Sequence, residues 1–114
     1  MSLLLTLVVM LPGGAPPPPN VAVSHGRVPV DRRVAIVRPY RARFERIASC
    51  ESGNRWFLHT GNGFYGGLQF TLGSWQSVGG RGYPHWHSKL EQMFRGVRLM
   101  RVQGWGAWPV CSRR

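Results

Sequence analysis

Asp31, Glu45, Glu51 and Glu91 are the only carboxylate side chains in 114 residues, so any chemistry that needs one can be examined residue by residue. Glu51 stands out. Phe44, Ile47, Ala48 and Glu51 fall at i, i+3, i+4 and i+7, the stripe of an amphipathic helix that Gly53 would stop. A carboxylate on that apolar face, in the last turn, meets the negative end of the helix dipole and loses water, and both effects oppose ionisation. A carboxyl group held protonated is what glycosidic cleavage requires, because the leaving oxygen is too basic to depart without a proton. The competing reading is a frayed helix-end residue on the surface. No second acid offers itself: Glu45 lies off the stripe, and Glu91 completes a capping box with Ser88. So few acids also make a calcium or magnesium cluster improbable.

Three other patterns carry chemistry less well. Gly61, Gly63 and Gly66 match G-x-G-x-x-G, but a dinucleotide site needs a helix immediately after the glycines, and Gly67-Leu68-Gln69-Phe70 reads as strand. A tight hairpin is the better account. His85 and His87 form H-x-H with His59 as a third imidazole, yet nothing completes a zinc ligand set, so no metal is expected and a solvated turn is preferred. Arginines interleaved with Trp and Tyr could bind single-stranded nucleic acid, but they are scattered over every segment without a dense stripe, and no nucleic-acid partner is expected.

The elements that must position these residues follow from composition. Lys plus Arg number 15 against 4 acids, a net charge of +11, which points to an anionic partner: nucleic acid, a membrane surface or a cell-wall polymer. The length excludes a multidomain enzyme, and 43% apolar residues with five Trp and five Phe support a packed core. Residues 1–15 hold a ten-residue apolar run from Ser2 to Leu11, the length of an export-signal core and too short to span a bilayer. No Lys or Arg precedes that run, and Pro16 follows the small residues Gly13 and Ala15; a buried N-terminal segment is the alternative. Residues 16–42, with Pro16 to Pro19 in a row, Pro29, Pro39 and five Arg, have the composition of an extended, solvated linker. Order is expected near Arg41. Beyond the first helix, Asn62-Gly63 signals a hairpin, Thr71 or Ser74 could cap a short helix ending at Gly79-Gly80, and Ser88 opens a longer helix that stops at Gly104. Leu90, Met93, Phe94, Val97 and Met100 lie on one face of that helix, which carries Gly96 at its middle. Cys50 and Cys111 can form one disulfide or stand as two buried thiols, and their count alone leaves both open.

Cys50-Glu51-Ser52-Gly53, the run from Thr60 to Phe70, and Gln103 to Cys111 resemble, in order and spacing, the resuscitation-promoting factor domain of actinobacteria. The resemblance covers residues 43–114. It implies an α+β fold: a small lysozyme-like catalytic domain of about three helices with a short β-hairpin, stapled by a Cys50–Cys111 disulfide. It further implies a secreted or wall-associated enzyme that cuts peptidoglycan glycan strands and supports exit from dormancy, with no cofactor. Glu51 matches the family's catalytic acid. Thr60, Gln69, Ser74 and Gln103 fall where polar residues line the glycan groove, with Trp56, Phe64, Tyr65 and Trp75 near it. A peptidoglycan endopeptidase is the partner the family suggests, and a monomer without a membrane span is expected. The sequence departs from the family at Asn54-Arg55, where Gly-Asn is usual, at His59 for Asn, and at Phe64 for the commoner Tyr. A non-catalytic wall-binding module and a basic single-stranded nucleic-acid binder are the alternatives.

Overall fold

A computed structural model of the chain describes residues 28–114; the export-signal reading of residues 1–15 and the first part of the linker reading lie outside these. The order of elements is α1 (Val30–Val37), a 3-10 turn (Arg38–Tyr40), α2 (Arg41–Ser52), α3 (Leu72–Ser77), a 3-10 turn (Pro84–Trp86), α4 (Lys89–Gln103) and two short 3-10 turns in the tail. No helix among the described residues is long and apolar enough to cross a membrane.

Helix α4 is the element around which the others assemble. Seven of its residues, Gln92 to Val97 and Leu99, are buried, so it is enclosed on more than the one face its apolar periodicity marks. Ser88 caps it by accepting the Glu91 N–H at 3.1 Å. The capping box is only half formed, because the Glu91 carboxylate turns instead to two guanidiniums. Helix α2 lays Phe44, Ile47 and Ala48 into the core against α4, Leu68 and Trp108. Their approach is close at Gly96, where a Cβ would stand 2.9 Å from Leu68 Cδ1 and 3.0 Å from the Phe44 ring. A mid-helix glycine costs about 1 kcal/mol in propensity relative to alanine. Here that cost secures the contact between the two helices.

Two expectations change. Order begins upstream of Arg41: residues 30–40 are helical, and α1 docks on α4. Arg33, Ile36, Val37 and Tyr40 form its inward stripe, with Val37 fully buried. The periodicity is masked in the sequence because Arg33 belongs to the stripe and is neutralised by Glu91, far along the chain. The hairpin also gives way. Its pairing reduces to two isolated antiparallel bridges, His59 with Tyr65 and Tyr65 with Phe70. Gly61, Gly63, Gly66 and Gln69 all take positive φ, and left-handed residues at such short intervals cannot belong to an extended strand.

The Cys50–Cys111 disulfide ties the tail to the last turn of α2. Around it, Trp105 packs on Tyr40 and Phe44, with the Arg43 guanidinium 3.9 Å above its ring. Trp108 is buried and donates its indole N–H to Leu68 O at 2.9 Å, so the tail is part of the core.

Candidate active site

Glu51 continues the stripe of α2 but emerges half-buried at its last turn. The helix ends there because Gly53 adopts φ +66°, its N–H returning to Ala48 and Ser49 while the Asn54 N–H reaches Ala48 O at 3.1 Å. These bonds satisfy terminal carbonyls that would otherwise be left open beside Glu51.

A polar clamp fixes that helix end to the loop facing it. The Ser52 hydroxyl is buried, lies 2.9 Å from Gly67 O and 3.1 Å from Ala48 O, and accepts the Arg55 N–H. From the other side Gln92 reaches up from α4. Its Oε1 accepts the Gly67 N–H at 2.9 Å, and its Nε2 donates to Trp56 O at 2.8 Å and His87 O at 2.9 Å. Gln92 is wholly buried with both ends of its amide satisfied, which makes it a rigid support for the loop. The loop comes this close only because Gly67 lies against the face of Trp56, where a Cβ would stand 2.3 Å from the ring.

Of the expected groove residues, the clamp brings Tyr65 and Gln69 onto the loop joined to the end of α2. Tyr65 and Phe70 exchange backbone N–H···O bonds, closing a tight turn over Gly66 to Gln69. Gln69 holds φ +53° and donates its amide to Gly66 O at 2.9 Å. A left-handed glutamine costs on the order of 1–3 kcal/mol and persists only where its surroundings enforce it. Thr60 and Phe64 are exposed on the same loop. Ser74 is engaged in the cap of α3, its N–H and Oγ both bonded to Thr71 Oγ1. Gln103 is exposed at the last turn of α4. Trp75 is a correction: it is 0% exposed, packs edge-on against Phe70 and donates its indole N–H to Arg81 O, so it supports the core and cannot stack on a ligand. Trp56 is buried likewise, beneath Gly67.

Burial pushes the Glu51 carboxyl above the ordinary 4.5 by desolvation, and no basic group pairs with it among the described residues. The other glutamates are engaged. Glu45 bonds to Arg41 and Lys89 at the surface, and Glu91 lies between Arg33 and Arg95. The three imidazoles do not converge: His59 stacks on His85 and Tyr65, whereas His87 packs on Trp75. Burial lowers the His85 pKa, and the charge of His59 adds to that. Gln92 and the Ser52 hydroxyl are the positioning groups that periodicity misses. The only signal for Gln92 is an amide directly before the apolar pair Met93-Phe94 in the first turn of α4.

Glu51 is thus a half-buried, unpaired carboxyl beside a glycine-rich loop, in a small helical, disulfide-bonded fold. The description carried by the matching family model is that of a transglycosylase-like domain, and the match covers residues 39–111. The chain belongs to this family, and its relatives place it among the resuscitation-promoting factor domains. It is 61% identical over 71 residues to resuscitation-promoting factor Rpf of Micrococcus luteus, covering 62% of this chain and 32% of that protein. It is 43% identical over 86 residues to RpfE of Mycobacterium tuberculosis, covering 75% and 50% of the two. To Rpf1 of Corynebacterium glutamicum it is 43% identical over 72 residues, 60% and 37%. The chain thus spans between a third and a half of the length of these relatives.

Proposed function

We propose that this domain cleaves the β-1,4 linkage between N-acetylmuramic acid and N-acetylglucosamine in peptidoglycan, with Glu51 as general acid. The observation that carries the reading is the state of Glu51: desolvated, without a cation partner, and joined through Ser52 to the loop bearing Tyr65 and Gln69. Burial disfavours the charged form of this acid, so its carboxyl keeps its proton to higher pH than an exposed glutamate does and is the better donor to the bridging oxygen. As the C–O bond breaks, positive charge develops on the muramic acid ring.

The ordinary second carboxylate is missing, since Glu45 and Glu91 are both committed to ion pairs. The substrate itself then completes the reaction, through its acetamido oxygen or through its C6 hydroxyl closing an anhydro ring. Thr60, Phe64, Tyr65, Gln69 and Gln103 are the residues proposed to contact the glycan, with Ser74 contributing from α3. Export to the wall, action in leaving dormancy and cooperation with an endopeptidase belong to the same proposal.

The test is digestion of purified peptidoglycan by the oxidised full chain, with products read by mass spectrometry. Glu51→Gln should lower the cleavage rate by about 10²–10⁴-fold. Anhydro ends identify a transglycosylase and reducing ends a hydrolase. Unchanged cleavage by Glu51→Gln, or none by the folded wild type, overturns the reading.

A further inference from the structure

The arginines are not uniformly neutralised. Arg33, Arg41, Arg95 and Lys89 pair with Glu45 or Glu91, but Arg32, Arg98 and Arg101 are exposed and have no carboxylate partner among the described residues. These three converge from α1 and α4 on one concavity of about 270 Å³, floored by Val28, Ile36 and Phe94. Arg98 and Arg101 also line a second concavity, of about 470 Å³, beside Ser77 and Gly79. The shared pair makes a cationic track that crosses α4. Phe94 holds the guanidinium of Arg98 5.5 Å from its ring centroid, beside those of Arg33 and Arg95. Glu91 neutralises those two and leaves the Arg98 charge free. Asp31, the acid nearest in sequence, bonds to the Arg32 backbone N–H and pairs with none of the three.

The geometry points to this track as a binding site for a phosphodiester-linked anionic polymer of the cell wall, separate from the site at Glu51. Guanidinium forks match phosphate oxygens and desolvate more readily than ammonium groups. The apolar floor suits the carbon skeleton between charges. A track shared by two concavities fits a chain that carries a charge in its backbone at every repeat, whereas the carboxylates of peptidoglycan hang from its side peptides. Such a site would hold the enzyme at the wall while Glu51 works on a neighbouring glycan. The inference rests on the wall-directed function proposed above.

The full chain is applied to walls bearing poly(glycerol phosphate) and to the same walls stripped of it by hydrofluoric acid. Retention should be about tenfold or more higher on the unstripped walls, as expected of several charge-assisted contacts. Arg98→Gln/Arg101→Gln should erase the difference and Arg32→Gln reduce it, while Arg113→Gln/Arg114→Gln, with the same loss of charge at the tail, keeps most of it. All variants should keep wild-type melting temperatures and cleave stripped peptidoglycan alike. Three results overturn the site: equal losses in track and tail variants, full retention on stripped walls, or tighter binding to single-stranded DNA than to soluble poly(glycerol phosphate). Absence of cleavage by every variant and the wild type would instead refute the role of Glu51.

Discussion

Replacing Glu91 by glutamine should cost this domain about 3 kcal/mol, and the figure follows from where its two arginines sit. Glu91 Oε2 accepts from Arg95 Nε at 2.8 Å, and Oε1 lies 2.7 Å from Arg33 Nε, with side-chain exposures of 15%, 9% and 13% for Glu91, Arg95 and Arg33. The Arg33 approach is too poorly aligned for a hydrogen bond, so it acts as a charge contact. Removing the one anion leaves two nearly buried cations, and breaking such an arrangement costs about 3–5 kcal/mol. Arg95 keeps its bond to Val78 O at 2.8 Å, whereas Arg33 keeps only the Phe94 ring. Arg33 can regain water if α1 detaches, and Val37 is the only buried residue of that helix, which holds the loss to the lower end of the range. About 3 kcal/mol corresponds to a fall of about 10–20 °C in melting temperature for a domain of this size. Limited proteolysis should cut between Val30 and Tyr40 in Glu91→Gln well before the rest unfolds. Glu45→Gln is the control: its pairs are about 40–50% exposed and should contribute under about 1 kcal/mol. Equal melting temperatures for the two variants would refute the account of how α1 is held.

The remaining predictions test the site and its frame. Reducing the Cys50–Cys111 bond, which closes a 61-residue separation, should cost about 4 kcal/mol in denaturant unfolding and lower activity by freeing the end of α2. Gly96→Ala should destabilise by about 1–3 kcal/mol despite its gain in helix propensity, because its Cβ meets Phe44 and Leu68; an increase in stability would show that α2 and α4 can separate freely. Below pH 4.5 Glu51 is protonated in both folded and unfolded chains; above it the unfolded chain ionises first, and the folded state loses stability until its own raised pKa is passed. Glu51→Gln should therefore match wild type in acid and exceed it at neutral pH, in paired urea titrations; a variant weaker at pH 7 than at pH 4, relative to wild type, would contradict the desolvation. Salt should raise the Glu51 pKa further in a carboxyl NMR titration, since it screens the positive field of the molecule; a lower value in salt would reveal a repelling neighbour.

Local signals located what local physics decides. Thr71 and Ser88 cap their helices, Gly53 ends α2, and the stripe carrying Glu51 lies where its period of 3.6 places it. What the sequence hid depends on partners far along the chain. Arg33 reads as a linker residue until Glu91 is known to face it. Trp75 reads as a sugar-stacking ring because an aromatic near a groove and one beneath it look alike in sequence, and only Phe70 and the Arg81 carbonyl decide between them. Asn62-Gly63 does introduce a turn, but the left-handed positions around it leave single bridges in place of strands.

The same dependence explains how the Glu51 carboxyl stays unpaired in a chain of net charge +11. A cation within about 4–6 Å would favour ionisation of Glu51 and cancel the effect of burial. Several guanidiniums near α2 are directed elsewhere. Arg55, four residues beyond Glu51, sends its Nε back to Ser52 O at 2.7 Å. Arg43 sits over the Trp105 ring and donates to Ser112 O, and Arg41 turns to Glu45. The family-atypical Arg55 is thus held by the backbone of the helix whose last turn carries Glu51, and Ser52 serves twice, its hydroxyl meeting the loop and its carbonyl holding the nearest arginine in sequence. The acid chemistry proposed for Glu51 requires this second function as much as the first, because on a basic domain a carboxyl stays protonated more readily where the positive charge has other partners.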